Sequence, residues 1–248
     1  MKNNFLKSEI EKILKKLKVK KDDDVMIHGD AGVIFQYGAN LQKNFNVLFK
    51  TINNCIGKNG TILIPAFTPS FCKKKIFYKD SRENELGSFG EIFTQKKNFK
   101  RTSHPIFSFL IKGKNFDYYN NAALDVSFGN NSIFDLFHKR NGKILVLGNA
   151  IEKSAVFFHH IEDVAKVNYR FYKYFSGFIL DKKIKKPIKV SYFVRKRNYI
   201  NSLIFKKSIH MILNKTNFGR FEVYSISAKK LFNHCIKRLR NNKNYLVK

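Results

Sequence analysis

The first helical pattern lies at the beginning of the chain, where apolar residues recur every three or four positions. They are Phe5, Leu6, Ile10, Ile13, Leu14 and Leu17. This spacing places them on one face of an amphipathic helix, which we expect to end before Asp22. A second helix is predicted over residues 41–56, because Gly57 and Gly60 mark the turn that follows.

Short apolar runs between turn residues predict buried strands. They are Val25 to Gly29, Thr61 to Phe67, Phe107 to Ile111 and Lys143 to Leu147. Capping patterns at Ser88, Ser132 and Ser227 predict further helices. Because strands and helices alternate, the predicted class is α/β, with a mixed central sheet and helices on both faces.

The chain shows no internal repeat, no low-complexity linker and no domain boundary. We therefore predict a single domain over residues 1–248, with residues 180–225 as a candidate β-rich subsidiary lobe. Length and an apolar fraction of 44% suit an enzyme-sized globular unit with a real core.

The formal net charge of +30 is the feature most open to two interpretations. A basic surface attracts phosphates, and nucleic acid is the commonest such partner. Here the lysines are spread through the chain, and no helix-turn-helix, zinc-finger or RNA-recognition signature accompanies them. We interpret most of the charge as solvated surface and expect no specific nucleic acid partner. The densest clusters, at 182–186 and 195–197, could bind an acidic partner or a membrane surface.

Cellular location is indicated by the cysteines and by the lack of long apolar runs. The three cysteines show no paired spacing, which suits a reducing cytoplasm. No run approaches the ~20 apolar residues that span a bilayer, and the first residues do not form a secretory signal. We expect a cytoplasmic protein.

A candidate proton acceptor lies beside a carboxylate in the run Phe158-His159-His160-Ile161-Glu162-Asp163. In a helix, His159 and Glu162 share one face. Such a pair can remove a proton from an amine or hydroxyl that attacks an acyl donor. The competing interpretation is that two adjacent histidines only fill or flank a core. His160 is the second candidate base, but it points about 100° away from His159 around a helix.

Other site chemistries fit less well. The pair has no third ligand at zinc spacing, so no metal is expected there. No phosphate-binding loop or dinucleotide fingerprint is present. Cys72 remains a rival, because a cysteine could carry the acyl group covalently, although packing is its commoner role.

Several motifs occur in the order found in one family. They are Asp24-Val25-Met26-Ile27-His28-Gly29-Asp30, Gly57-Lys58-Asn59-Gly60-Thr61-Ile62-Leu63-Ile64-Pro65-Ala66-Phe67-Thr68, Leu86-Gly87, Arg101-Thr102-Ser103-His104-Pro105-Ile106-Phe107-Ser108-Phe109, Phe128-Gly129-Asn130-Asn131-Ser132, Gly142-Lys143-Ile144-Leu145-Val146-Leu147-Gly148 and the His159/Glu162 run. From about residue 20 to 180 the chain resembles the aminoglycoside 3-N-acetyltransferase family. The stretch from Tyr169-Arg170 to Gly177 looks like the branch associated with surface-polysaccharide biosynthesis.

The resemblance implies an antibiotic N-acetyltransferase-like fold and direct transfer from acetyl-coenzyme A, without a metal. It implies that His159 is the general base, while Glu162 orients the imidazole or binds the ammonium group. Donor contacts are implied at His28, Gly29, Asp30 and Ala31. The family's usual serines are replaced there by Asp30 and Ala31, and an aspartate beside a pyrophosphate is electrostatically unfavourable.

Further contacts are implied at two other places. In the second loop, Arg101 would bind phosphate, and the hydroxyls of Thr102, Ser103 and Ser108 would contact the donor. His104-Pro105 has an equally good structural interpretation as a rigid loop corner. Tyr169, Arg170 and His160 are the candidate acceptor-binding residues.

The predicted acceptor is the amine of an amino sugar, nucleotide-linked and used in surface glycan assembly. An aminoglycoside is the alternative acceptor, although a chain this basic would repel a polycationic drug. A basic nucleic-acid-binding protein and an inactive relative are the alternatives from other classes. A homodimer is left open.

Overall fold

The fold is described from a computed structural model, over residues 2–38, 40–81, 85–86, 88–94 and 98–248. The helices of these residues are α1 (Lys2–Lys16), α2 (Gly32–Phe35), α3 (Leu41–Ile56), α4 (Phe71–Lys74), α5 (Ser88–Thr94), α6 (Phe116–Asn120), α7 (Ile133–Lys139), α8 (Ile151–Ser154), α9 (Phe157–Val164), α10 (Leu203–His210) and α11 (Ala228–Asn241). The strands are β1 (Asp24–Gly29), β2 (Thr61–Pro65), β3 (Ile76–Tyr78), β4 (Lys100–Arg101), β5 (Phe109–Gly113), β6 (Lys143–Leu147), β7 (Arg170–Asp181), β8 (Ile184–Arg195), β9 (Asn214–Phe218) and β10 (Phe221–Ser227).

A mixed seven-stranded sheet forms the centre of the described fold, in the order β4-β5-β2-β1-β6-β10-β9. Strand β1 is parallel to both β2 and β6, whereas β5, β4, β10 and β9 add antiparallel edges. Helix α3 makes the crossover between β1 and β2, which parallel strands require. The predicted class, α/β with a mixed central sheet, is confirmed.

Two hydrophobic cores cover the two faces of this sheet. Along β1, Val25 and Ile27 belong to the core under α1 and α3, while Met26 belongs to the opposite core. Successive strand residues point to opposite faces, so one short apolar run serves both cores. The opposite core is closed by α7, α9 and α11. Helix α9, which carries the candidate base, is therefore held on a packed scaffold.

A second, three-stranded sheet has the order β3-β7-β8. Strands β7 and β8 form a long hairpin whose register runs from Arg170 opposite Arg195 to Asp181 opposite Ile184. The candidate lobe at 180–225 is divided by the structure. Its first part belongs to this hairpin, whereas β9 and β10 pair with the central sheet. The single-domain assignment stays a prediction.

The predicted elements at 41–56 and 143–147 coincide with α3 and β6. The hydroxyl of Ser132 accepts a hydrogen bond from the Asp135 backbone N–H, and that of Ser227 accepts one from Lys230. Helix α5 begins at Ser88 as predicted, although the Ser88 side chain lies outside the described residues, as does Gly87. Among the described helices, none is long and apolar enough to cross a membrane.

Candidate active site

The larger of two neighbouring cavities opens at the carboxyl ends of the parallel strands. This first cavity has a volume of about 240 Å³ and is lined by His28 and Gly29 of β1 and Pro65 of β2. Asn149, just after β6, lines it as well. In open α/β sheets, ligands bind at this edge. The position therefore suits a substrate-binding cleft.

The second cavity is smaller, about 50 Å³, and contains the predicted base. His159 and Glu162 line it together with Glu152 and Arg195. Lys153 and Val156 line both cavities. The two spaces are thus neighbours that share part of their walls.

The imidazole of His159 and the carboxylate of Glu162 are paired as the helical spacing predicts. Nδ1 of His159 lies 2.9 Å from Oε2 of Glu162. An ionised carboxylate only accepts hydrogen bonds, so we assign the ring proton to Nδ1. This tautomer leaves Nε2 as a proton acceptor. The His159 side chain is 27% exposed, whereas that of Glu162 is 1% exposed.

Electrostatics keep the two groups in complementary charge states. Burial acts to raise the pKa of Glu162, but hydrogen bonds from His159 and Arg170 outweigh it and lower that pKa to about 2. Burial lowers the pKa of His159, and the Arg170 guanidinium lowers it further against the opposing effect of Glu162. The carboxylate is therefore ionised at neutral pH beside a neutral imidazole, which can accept a proton.

Two arginines reach the same carboxylate from the long hairpin. Nη2 of Arg170 lies 2.7 Å from Oε2 of Glu162, and Nη2 of Arg195 lies 3.8 Å from Oε1. These arginines are paired across β7 and β8. The same Nη2 of Arg170 is 2.7 Å from Nδ1 of His159. Arg170 is buried and also donates to the Phe193 carbonyl. With the ring proton on Nδ1, the contact between Arg170 and His159 joins two donors and is not a hydrogen bond. Arg170 therefore positions Glu162, and His159 only through Glu162.

Tyr169 lies in the core behind this pair. Its side chain is fully buried, and both burial and the Glu162 carboxylate raise the pKa of its hydroxyl. Tyr169 is not one of the described residues that line the two cavities. The position favours a supporting role over direct contact with an acceptor.

The predicted donor turn is divided between cavity and local structure. His28 and Gly29 line the first cavity. A Cβ on Gly29 would lie 2.8 Å from the Phe89 ring, so this glycine makes room for a protein side chain. Asp30 is exposed and accepts a hydrogen bond from the Gly32 backbone, while Ala31 is buried. Burial lowers the pKa of His28 to about 4.

The second predicted donor loop is occupied with internal contacts. The Arg101 guanidinium donates to the Ser81 and Ala66 carbonyls and to the Ser108 hydroxyl. The Thr102 hydroxyl accepts from the Phe109 backbone N–H. These contacts favour structural roles for Arg101, Thr102 and Ser108.

Two neighbours complete this loop. Ser103 is half-buried between β4 and β5. Nδ1 of His104 accepts hydrogen bonds from the backbone N–H groups of Ile106 and Phe107. This geometry supports the interpretation of His104 as a loop corner.

His160 points away from the second cavity, into the packing between α9 and α7. It is 1% exposed, and its ring faces His138 and Phe157. Among the described residues it lines neither cavity. The acceptor contact expected of His160 from the sequence has no support from this placement.

Glu152 is a site residue that sequence reasoning missed. Its side chain is 8% exposed and lines the second cavity. Its Oε2 atom lies 3.7 Å from Nε2 of His210. Its Oε2 atom is buried without a hydrogen-bond partner among the described residues. A buried carboxylate oxygen without a hydrogen-bond partner needs a hydrogen-bond donor. Glu152 follows β6 in the short helix α8, where no sequence motif marks it.

Comparisons with known proteins identify the family and the fold. Residues 35–240 match the family model described as aminoglycoside 3-N-acetyltransferase. A structure titled AAC-IIIb binary with CoASH is 14% identical, with a TM-score of 0.78, and the match covers 95% of this chain and 96% of that one. No curated protein sequence matches the chain significantly.

Two further solved structures share the fold. YokD protein from Bacillus subtilis is 17% identical, with a TM-score of 0.76 and coverage of 95% of this chain and 99% of that one. A mutant of aminoglycoside acetyltransferase AAC(3)-IVa in complex with a gentamicin is 18% identical, with a TM-score of 0.79 and coverage of 97% of this chain and 90% of that one.

A cleft at the carboxyl ends of parallel strands, with a histidine–glutamate pair beside it, is the candidate site of this fold. The match extends over most of the chain, and the chain belongs to the aminoglycoside 3-N-acetyltransferase family. The predicted family and the predicted enzyme class, an N-acetyltransferase, are thereby confirmed.

Proposed function

We propose that this protein transfers an acetyl group from acetyl-coenzyme A to the amine of an amino sugar, with His159 as general base. The observation that carries the proposal is the pairing of His159 with ionised Glu162 beside a cleft. The amine nitrogen attacks the thioester carbonyl, a C–N bond forms and the C–S bond breaks. Nε2 of His159 takes the amine proton and returns it to the departing thiolate.

The first cavity is the proposed donor site. It lies at the sheet edge where α/β folds bind ligands, and one relative is titled as bound to CoASH. Lys153 is exposed and lines both cavities. Its ammonium group can pair with a donor phosphate at the entrance. The thioester would then meet the acceptor where the cavities adjoin.

The acceptor amine is proposed to enter the second cavity. A volume of about 50 Å³ admits a single small group, which restricts contact to the reacting end of the acceptor. Glu152 lines this cavity, and its carboxylate can accept a hydrogen bond from the amine. Glu162 is held through Oε2 by His159 and Arg170, and its Oε1 atom faces the Arg195 guanidinium at 3.8 Å. We therefore assign amine binding to Glu152 and imidazole orientation to Glu162.

An amino sugar linked to a nucleotide is preferred over an aminoglycoside. Arg195 and Lys153 line the second cavity along with its two glutamates. The local charges balance, so the preference rests on the net charge of +30, which attracts a phosphate-bearing substrate and repels a polycationic drug. Relatives whose structures hold gentamicin or sisomicin keep the aminoglycoside as the competing acceptor.

The test is an acetylation assay that follows release of free thiol from acetyl-coenzyme A. The acceptor panel contains nucleotide-linked amino sugars, free amino sugars and aminoglycosides. We expect turnover with an amino sugar, preference for its nucleotide-linked form, and loss of turnover in His159→Ala. Absence of turnover with every amine would refute the proposal. Faster turnover with aminoglycosides than with amino sugars would make an aminoglycoside the acceptor.

A basic nucleic-acid-binding protein remains the alternative from another class. On the three-stranded sheet, Lys185 lies 4.0 Å from the Phe178 ring centre and Lys189 lies 5.1 Å from that of Tyr174. Exposed aromatics beside lysines are typical of single-strand binding surfaces. Oligonucleotide binding that discriminates between sequences at roughly 200 mM salt would favour this alternative, because counterion release alone gives weak, unspecific binding there.

A further inference from the structure

Three side chains that can ligate a metal ion meet on the face of α9 opposite the catalytic pair. Asp135 and His138 are three residues apart on α7, and His160 comes from α9. One ligand atom from each residue lies within 4.8 Å of those of the other two. None of the three takes part in the proposed acetyl transfer. The cluster is therefore a separate feature of the fold.

His160 is the member whose surroundings most need an explanation. Its side chain is 1% exposed, and neither ring nitrogen makes a hydrogen bond of good geometry to the described residues, although the nearby Gly129 backbone acts to raise its pKa. A buried polar group without a partner costs free energy, and an ion is one of the ordinary ways to satisfy it. Packing alone would be served as well by an apolar side chain of similar size.

The other two side chains can complete a ligand set. Lys139 and the Asn131 backbone both contact Oδ2 of Asp135, so Oδ1 accepts no hydrogen bond from the described residues. The Lys139 side chain is 56% exposed and can move away from an arriving cation. The ring of His138 is half-buried and stacks on Phe232 with ring centres 4.1 Å apart. This stacking limits the orientations of the imidazole.

The protonation states suit a metal. Burial lowers the pKa of His160 to about 4 and lowers that of His138 as well. Neutral imidazoles are the form that binds metal ions. Ligand atoms of a tetrahedral zinc site are ~3.4 Å apart, given Zn–N and Zn–O bonds of ~2.0–2.2 Å. The three ligand atoms lie within 4.8 Å of one another, so side-chain rotations must bring them closer together to bind an ion.

We propose that Asp135, His138 and His160 form a binding site for a divalent transition-metal ion, with Zn²⁺ as the expected occupant and water as the fourth ligand. Two imidazoles with one carboxylate form a donor set that suits Zn²⁺ and its neighbours better than Mg²⁺ or Ca²⁺. The ion would join α7 to α9 from behind the helix that carries His159. It has no part in the chemical step.

The test is a Zn²⁺ titration of chelator-treated protein in competition with a chromophoric chelator. We expect one Zn²⁺ per chain and an increase of the thermal midpoint on binding. In His138→Ala the affinity should fall by at least about 10–100-fold, the loss that even an outer-shell change causes. Asp135→Asn should also weaken binding. His234→Ala removes a half-buried imidazole outside the cluster and serves as the control.

Cobalt(II) distinguishes the ligand types, because thiolate coordination produces a charge-transfer band that imidazole and carboxylate lack. A visible spectrum without that band is expected in the wild-type protein and in His234→Ala. A thiolate band would assign the ion to a cysteine and overturn the proposal. Equal affinity in His138→Ala and the wild type, or no stoichiometric binding by the wild type, would overturn it too. His138 is half-buried, so its removal need not prevent folding.

Discussion

The Glu162 carboxylate lies 2.9 Å from Nδ1 of His159 and 2.7 Å from Nη2 of Arg170. One buried carboxylate thus orients the imidazole and neutralises a buried guanidinium. Nε2 remains as the ring atom that can accept a proton. The chemical role proposed for His159 and the orienting role proposed for Glu162 are separable by mutation, although the two side chains touch.

Replacement of His159 by alanine should abolish most of the acetyl transfer and leave donor binding intact. A positioned general base contributes roughly 10²–10⁴-fold to the rate, so we expect kcat to fall within that range. Thiol release measures the rate, and calorimetric titration with coenzyme A measures donor affinity. Unchanged kcat would remove His159 from the mechanism.

Replacement of Glu162 by glutamine should lower stability as well as activity. The charge that neutralises Arg170 is lost, and breaking a buried ion pair on one side typically costs about 3–5 kcal/mol. Urea unfolding measures this free energy. Glu11→Gln is the matched control, since its partner Lys7 is 3.7 Å away on the exposed face of α1. Equal stability of the two variants would contradict the assignment of Glu162 as the charge that neutralises Arg170.

The Glu152→Gln variant tests the proposed amine contact. Its Oε2 atom makes no hydrogen bond to the described residues and lies 3.7 Å from Nε2 of His210, so we expect the substitution to disturb little internal structure. We expect KM for the acceptor to rise about tenfold, which corresponds to one hydrogen bond to a charged group, with the affinity for coenzyme A unchanged. An unchanged KM would return amine binding to Glu162.

Replacement of Cys72 by serine should leave the acetylation rate unchanged. Burial raises the pKa of its thiol, so the nucleophilic thiolate is scarce at neutral pH. Of the described residues that line the two cavities, none is a cysteine. An acetyl-enzyme trapped by rapid quenching, together with loss of turnover in Cys72→Ser, would restore the covalent route.

The parts of the fold that sequence could predict are those set by local signals. Strand β6 is a short apolar run that ends before Gly148, and α3 lies between Asn40 and Gly57, which mark its two ends. The His159–Glu162 pair was predictable for the same reason, since both residues lie on one helix at a spacing of three.

The parts that sequence could not predict depend on distant contacts. Arg195 reaches Glu162 only because the hairpin register places it opposite Arg170. Glu152 becomes a site residue through the packing of α8 beside α9 and α10. Arg101 was predicted to bind phosphate from its charge and from the family resemblance of its loop. In the fold, nearby carbonyl and hydroxyl groups draw its guanidinium inward.

Acid should destabilise the protein as pH falls from about 6.5 toward 4, because buried histidines must then accept protons. Burial lowers the pKa of His28 and His104 to about 4, whereas an unfolded histidine titrates near ~6.5. Each histidine contributes to the free energy of unfolding because its pKa is lower in the folded state than in the unfolded state. This contribution is fully present above pH ~6.5 and is lost as pH falls through about 4. For His104 the contribution amounts to about 3 kcal/mol.

The His104→Asn variant isolates this effect. An asparagine oxygen can accept the hydrogen bonds that Nδ1 of His104 receives from Ile106 and Phe107, yet it does not titrate. Urea unfolding at neutral pH and at about pH 4.5 gives the loss of free energy on acidification for each protein. We expect a smaller loss in the variant, whatever its stability at neutral pH. The same loss in both proteins would show that His104 titrates normally, in which case its burial would not be the cause of the acid sensitivity.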